Sequence, residues 1–79
     1  MKKELEQKVK DLNILTKGDY FLNIAYGKYA LYENLKTGGA RNVFESRTSK
    51  RQLYNMINAY YMGIFETVLE SIENKKNNF

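Results

Sequence analysis

Five cations fall between Lys36 and Arg51 (Lys36, Arg41, Arg47, Lys50, Arg51), with Glu45 the one acid among them. Their surplus equals the formal net charge of the whole chain, +4. A localised excess of this kind faces a polyanion or an acidic partner surface. Arg47, Lys50 and Arg51 also surround the expected start of a helix, where free backbone N–H groups and the helix dipole favour anions. Thr48 and Ser49 add hydroxyl donors. The chemistry on offer is the grip of a phosphate or a carboxylate. The competing reading is a solvated, cap-bearing loop with ordinary surface charges.

Two aromatic sets come next. Phe21 and Tyr32 are expected to lie diagonally across adjacent strands on a sheet face away from the core, within reach of each other. Exposed aromatics beside cations stack bases in several RNA- and single-strand-binding folds; the alternative is that a helix or a second subunit covers them. Tyr54, Asn58, Tyr61 and Phe65 form a second line, on a helix face flanking its core stripe. Tyr and Phe are enriched at interfaces, so Tyr54 and Tyr61 are candidate partner anchors; alternatively, that helix packs on the first one. Catalysis has little to draw on. The chain has no His and no Cys, which removes imidazole and thiolate chemistry and nearly every zinc site. Glu66, Glu70 and Glu73 read as a solvated helix face. Gly38-Gly39 lacks the Lys-Ser/Thr ending of a P-loop. No enzyme, metal or cofactor is expected.

These residues need elements to hold them. Seventy-nine residues make one small domain, which buries only about 60–65% of its unfolded surface. Without disulfides it depends on its core or on pairing with another copy. Leu5, Val9 and Leu12 recur at helical spacing, and Gly18 is expected to end that helix as a C′ glycine. Tyr20, Leu22, Ile24 and Tyr26 alternate with Phe21, Asn23 and Ala25, as in a strand. Gly27-Lys28 suits a type II′ hairpin turn. That turn pairs Tyr26 with Tyr29, Ile24 with Leu31, Leu22 with Glu33 and Tyr20 with Leu35, and makes theirs the core face. After the turn Lys36–Gly39, residues 41–47 read as an edge strand whose charges deter unwanted pairing.

Ser49 and Gln52 form a capping box that starts the last helix. Its stripe is Leu53, Met56, Ile57, Tyr60 and Ile64, continued by Val68, Leu69 and Ile72. Gly63 interrupts it, and reads either as a close helix–sheet contact or as a break. Residues 74–79 read as a frayed polar tail. The expected fold is a two-layer αβββα domain: a three-stranded antiparallel sheet with the N- and C-terminal helices on one face. No apolar run approaches the ~20 residues that cross a bilayer. Glu4 and Glu6 after Met-Lys-Lys argue against an export signal, and the lack of Cys fits a cytoplasmic setting.

The order of elements, together with Asn-Val-Phe-Glu-Ser from Asn42 and the capped helix ending Met-Ile-Asn-Ala-Tyr-Tyr-Met-Gly-Ile at Ile64, resembles small phage-encoded proteins of anti-CRISPR type that block Cas9. The spacing of Val43, Ile57, Ala59 and Gly63 is similar. The resemblance implies a non-enzymatic inhibitor or accessory protein in a host-cell cytoplasm, with a nucleic-acid-processing protein such as a Cas nuclease as partner. It does not imply DNA mimicry, because the mimics are acidic and this chain is basic. On the inhibitor reading Lys36, Arg41, Arg47, Lys50 and Arg51 supply charge and Tyr54 and Tyr61 the anchors. The runner-up is direct binding of RNA or single-stranded DNA, with Phe21 and Tyr32 stacking bases. A third reading is a homo-oligomer joined through the aromatic helix face.

Overall fold

A computed structural model describes the backbone of residues 1–76 and the side-chain surroundings of residues 1–72. The order is α1 (Lys2–Thr16), β1 (Tyr20–Ala25), β2 (Lys28–Asn34), β3 (Ala40–Asn42) and α2 (Lys50–Lys76). The strands form one antiparallel sheet in the order β1-β2-β3. This is the expected α+β fold. One apolar core joins Leu5, Val9 and Leu12 of α1, Tyr20 of β1, Leu31 of β2, and Leu53 and Ile57 of α2. Both helices therefore cover the same sheet face. Burying this stripe is what holds α1, since a helix of its length is marginal alone in water.

Several local details depart from expectation. The hairpin turn is Tyr26-Gly27, both at positive φ (54° and 70°), the type I′ pattern whose twist matches that of the strands. The register slides accordingly: Leu22 faces Leu31, Ile24 faces Tyr29, and Tyr20 faces Glu33. The slide preserves which residues share a face, so the core face is as expected, but Tyr26 leaves it for the turn and is 97% exposed. Helix α1 ends on Lys17 in the left-handed conformation (φ 55°), not on Gly18. The glycine is required for space. A Cβ there would meet Cε2 of Tyr20 at 2.6 Å and Oγ1 of Thr16 at 2.9 Å. The Tyr20 ring cannot easily yield, being buried edge-on against Tyr60 at a centroid distance of 6.4 Å. Gly18→Ala is expected to cost about 1–3 kcal/mol through overpacking, read as a lower urea midpoint at unchanged slope.

Asn13 supplies a tie that periodicity does not announce. Its side chain accepts from the Tyr20 amide (2.7 Å) and donates to the Tyr20 carbonyl (3.0 Å), fixing the start of β1 to α1. The Tyr20 hydroxyl lies 3.3 Å from that of Tyr60. Burial pushes its pKa well above the ordinary phenol range, and the hydrogen bond to Tyr60 and the nearby Glu33 charge add to this. The folded state thus keeps a proton that the unfolded chain releases near pH ~10. The stabilisation is complete below that pH and is lost as pH rises above it. In an alkaline absorbance titration one tyrosine should ionise after the rest, and Tyr20→Phe should remove that last step.

β3 is shorter than expected. The Val43 amide still donates to the Leu31 carbonyl (2.8 Å); the chain then turns, with Glu45 at φ 57°, and pairs with β2 again where Thr48 and Tyr29 exchange both backbone hydrogen bonds (2.8 and 2.9 Å). Extra residues bulge out between these pairings, which breaks the expected alternation over 41–47. The Ser49 hydroxyl accepts from the Gln52 amide at 3.2 Å, forming the main half of the capping box. Helix α2 then runs unbroken to Lys76, so it includes three residues expected in the frayed tail; 77–79 lie outside the described residues. Neither reading of Gly63 holds. The helix does not break there, and a Cβ would meet open space.

Helix α2 outruns the body. Ile64 is its last side chain packed on the core, and Phe65, Val68, Leu69 and Ile72 are exposed. The chain measures 54 × 30 × 19 Å with a radius of gyration of 14.6 Å, against about 12 Å for a compact domain of this length. No helix among the described residues is long and apolar enough to cross a membrane.

Candidate binding face on the outer side of the sheet

The sheet face away from the helices carries Phe21, Asn23 and Ala25 of β1, Lys28, Ala30, Tyr32 and Asn34 of β2, and Ala40 and Asn42 of β3. Phe21 and Tyr32 are direct cross-strand partners rather than diagonal ones, because of the register slide. Their ring centroids are 5.7 Å apart and the planes tilt by 36°, with both residues half-buried.

Arg47 is drawn onto this face. The Tyr29–Thr48 pairing brings Arg47 alongside Ala30. Its Nη2 donates to Oδ1 of Asn23 at 2.7 Å and to the Tyr32 hydroxyl at 3.3 Å. Its Cζ stands 5.8 Å from the Tyr32 ring centroid. The guanidinium thus bonds to residues on both sides of Ala30, which is fully buried although it lies outside the main core. Both partners of the guanidinium are neutral. Nη1 is buried and has no protein acceptor, a position that costs about 1–3 kcal/mol when nothing accepts from it. Oδ1 of Asn42 on the same face is likewise buried and unpaired, and it is the guanidinium's charge, which no carboxylate among the described residues neutralises, that attracts an anion to this face.

The other cations divide. Arg41 faces Glu33 on the helix-bearing side of the sheet, and its Nε donates to the Glu33 carboxylate at 2.9 Å. That bond raises the Arg41 pKa and largely spends its charge. Lys36 lines a cleft with Asp19 and Glu33 at the same end of the sheet. At the opposite end, Lys28 stands beside the Tyr29–Thr48 pairing, and Lys50 and Arg51 open α2 two residues further on. Lys50 Nζ is 5.9 Å from the Tyr29 ring centroid. Lys28 and Arg47 thus lie on the outer face at this end, Lys50 stands over Tyr29 on the helix-bearing side, and none of Lys28, Arg47, Lys50 and Arg51 forms an ion pair within the described residues. A turn at Gly27-Lys28 hides Lys28 among the turn residues, whereas the turn at Tyr26-Gly27 makes it the first residue of β2. A Gly also suits the second central position of a type I′ turn, and that alternative exposes Lys28.

Tyr54 and Tyr61 do not present free anchors. Both are half-buried and packed on the core. Tyr54 lines the α1–α2 groove with Gln7, Lys8 and Asp11, and Lys8 Nζ lies 4.8 Å from the Tyr61 ring centroid. The aromatic line of α2 is thus covered by α1 along its first half.

These features describe a two-layer α+β domain with one helix-free sheet face and a basic end. Comparison with family models, with curated proteins and with solved structures found no match.

Proposed function

We propose that this protein is a non-enzymatic binding module that takes a single strand of RNA or DNA across the outer sheet face. The observation that supports this best is Arg47. A half-buried guanidinium whose two partners are both neutral keeps its full positive charge, which suits a phosphate. Lys28 continues the cationic track on that face, Lys50 and Arg51 lie past its edge at the start of α2, and Phe21 and Tyr32 offer ring faces for bases, whose stacking tolerates any sequence.

The test is binding of labelled single-stranded oligonucleotides by fluorescence anisotropy across a salt series. If all four of these cations meet phosphates, log affinity falls by about 3 per log unit of salt, at roughly 0.7 per phosphate on a single strand. Absence of binding at low salt overturns the reading.

A second reading keeps the protein as a phage-type inhibitor docked on a nucleic-acid-processing protein such as a CRISPR effector nuclease. Tyr26 favours it: a fully presented ring at the basic end of the sheet is the kind of anchor that fills a pocket on a partner. On this reading a purified effector retains the protein after nuclease treatment, and Tyr26→Ala releases it.

A further inference from the structure

We propose that the groove between α1 and the free edge of β1 takes an extended peptide segment of another protein, which adds to the sheet as a fourth strand. The hydrogen-bond ladder shows which groups are free there. The Asn34 amide donates to the Asp19 carbonyl at 2.9 Å, and the register steps from that pair to Phe21–Tyr32, Asn23–Ala30 and Ala25–Lys28. Bonded pairs alternate with unbonded ones in an antiparallel ladder, so Tyr20, Leu22 and Ile24 turn their N–H and C=O groups away from β2. Asn13 answers both groups of Tyr20 as a neighbouring strand would, its side chain accepting at 2.7 Å and donating at 3.0 Å. Nothing among the described residues bonds to those of Leu22 and Ile24. A row of alternating backbone donors and acceptors is matched by another extended backbone.

The two edges of the sheet differ. β3 is three residues long, carries Arg41 and runs into the bulge, devices that discourage strand addition. β1 is six residues long, with no charge and no proline. Beside its free groups it forms an open groove of about 380 Å³ with α1, in which Val9, Leu22 and Ile24 make the apolar wall and Lys2, Glu6 and Lys10 the rim. Ile24 is 51% exposed there. The rim has one cation in excess, and none of its charges is ion-paired among the described residues. The segment that fits is apolar at alternate positions, the period that puts side chains on one face of a strand, with an acidic residue toward the rim.

The position of α1 selects a lone strand over a second copy. The backbone of α1 approaches β1 and α2 but not β2, so the helix lies over the edge strand, and Asn13 reaches that strand's outer side. Two copies joined antiparallel through β1 would set their first strands about 4.8 Å apart, with both α1 helices above them on the same face. Packed helices stay roughly 8–10 Å apart. A peptide strand that carries no helix meets no such clash.

The test is selection of a phage-displayed library of random decapeptides on the full chain. Enriched peptides should alternate apolar residues. In hydrogen exchange followed by NMR, the Leu22 and Ile24 amides should exchange faster than those of Phe21, Asn23 and Ala25 in the free protein. A saturating resynthesised peptide should slow both by about tenfold or more. Ile24→Pro removes one outward donor and spares the β1–β2 ladder, since proline is tolerated on edge strands. It should weaken peptide binding by about tenfold or more. Ile24→Lys keeps the backbone and places a charge in the groove, and should act alike even if the proline variant fails to fold. A selection that enriches no peptide overturns the proposal. So does a peptide that binds without protecting Leu22 and Ile24, one that neither variant weakens, or a dimer of the free chain that Ile24→Pro dissolves.

Discussion

Replacing Arg47 by alanine is expected to abolish most single-strand binding while leaving the fold in place. A hydrogen bond to a charged group contributes about 1.5–3 kcal/mol, so affinity should fall roughly 10- to 100-fold. The salt slope should flatten by about 0.7 as one phosphate contact disappears. Stability should change little. The two groups that Arg47 holds, Asn23 Oδ1 and the Tyr32 hydroxyl, are half-buried, and removing the guanidinium that covers them opens both to water, so the cost should stay near ~1 kcal/mol. The variant also removes a buried donor that has no acceptor. Arg47→Lys separates charge from geometry. It should restore the slope but only part of the affinity, because an ammonium cannot reproduce the planar fork. Arg41→Ala is the internal control: its charge is already engaged by Glu33, and the slope should barely move. Unchanged affinity in Arg47→Ala, measured by anisotropy on a variant with a normal urea transition, would refute the proposed face.

The second large effect lies in the core. Ile57 is fully buried where α2 crosses the sheet. Ile57→Ala should cost about 2–5 kcal/mol, the lost transfer energy plus a residual cavity. A domain of this size has only ~5 kcal/mol or so to lose, so this change should leave a large unfolded fraction at physiological temperature. Two turns along the same helix the sign reverses. Gly63 is helical, with open space where its Cβ would stand. Gly63→Ala should therefore stabilise by about 0.4–1 kcal/mol, largely by restricting the unfolded chain. Thermal melts of the two variants should move in opposite directions. If Gly63→Ala destabilises instead, the helix does not continue through this position.

Much of the architecture was legible because it rests on local rules. The stripe of Leu5, Val9 and Leu12, the alternation from Tyr20, and the Ser49 cap each follow from side-chain periodicity or backbone donors within a few residues. The core face survived even a misplaced hairpin turn. Side chains alternate with period two, and the slide moved every pair without exchanging the faces. The sequence alone thus determined a two-layer αβββα domain, the core positions Leu5, Val9, Leu12, Tyr20, Leu31, Leu53 and Ile57, and a concentration of charge between Lys36 and Arg51, but not that Ile24, Tyr26, Leu35, Val68, Leu69 and Ile72 are exposed.

Which cations act together was decided only in three dimensions. Arg41 and Arg47 are six residues apart in one basic window, yet they stand on opposite faces of the sheet. The bulge after Asn42 inserts residues that β2 does not match, and this reverses the side on which the following side chains emerge. The same bulge carries Arg47 to Asn23 and Tyr32, more than a dozen residues back, and brings Lys50 and Arg51 to the end of the sheet where Lys28 stands. The fate of the aromatic line on α2 was equally non-local. Its period is uniform from Tyr54 to Ile72, and only the length of α1 settles that Tyr54 and Tyr61 are covered and Phe65, Val68 and Ile72 are free. Helical spacing defines a face, but what lies against that face depends on where another element ends.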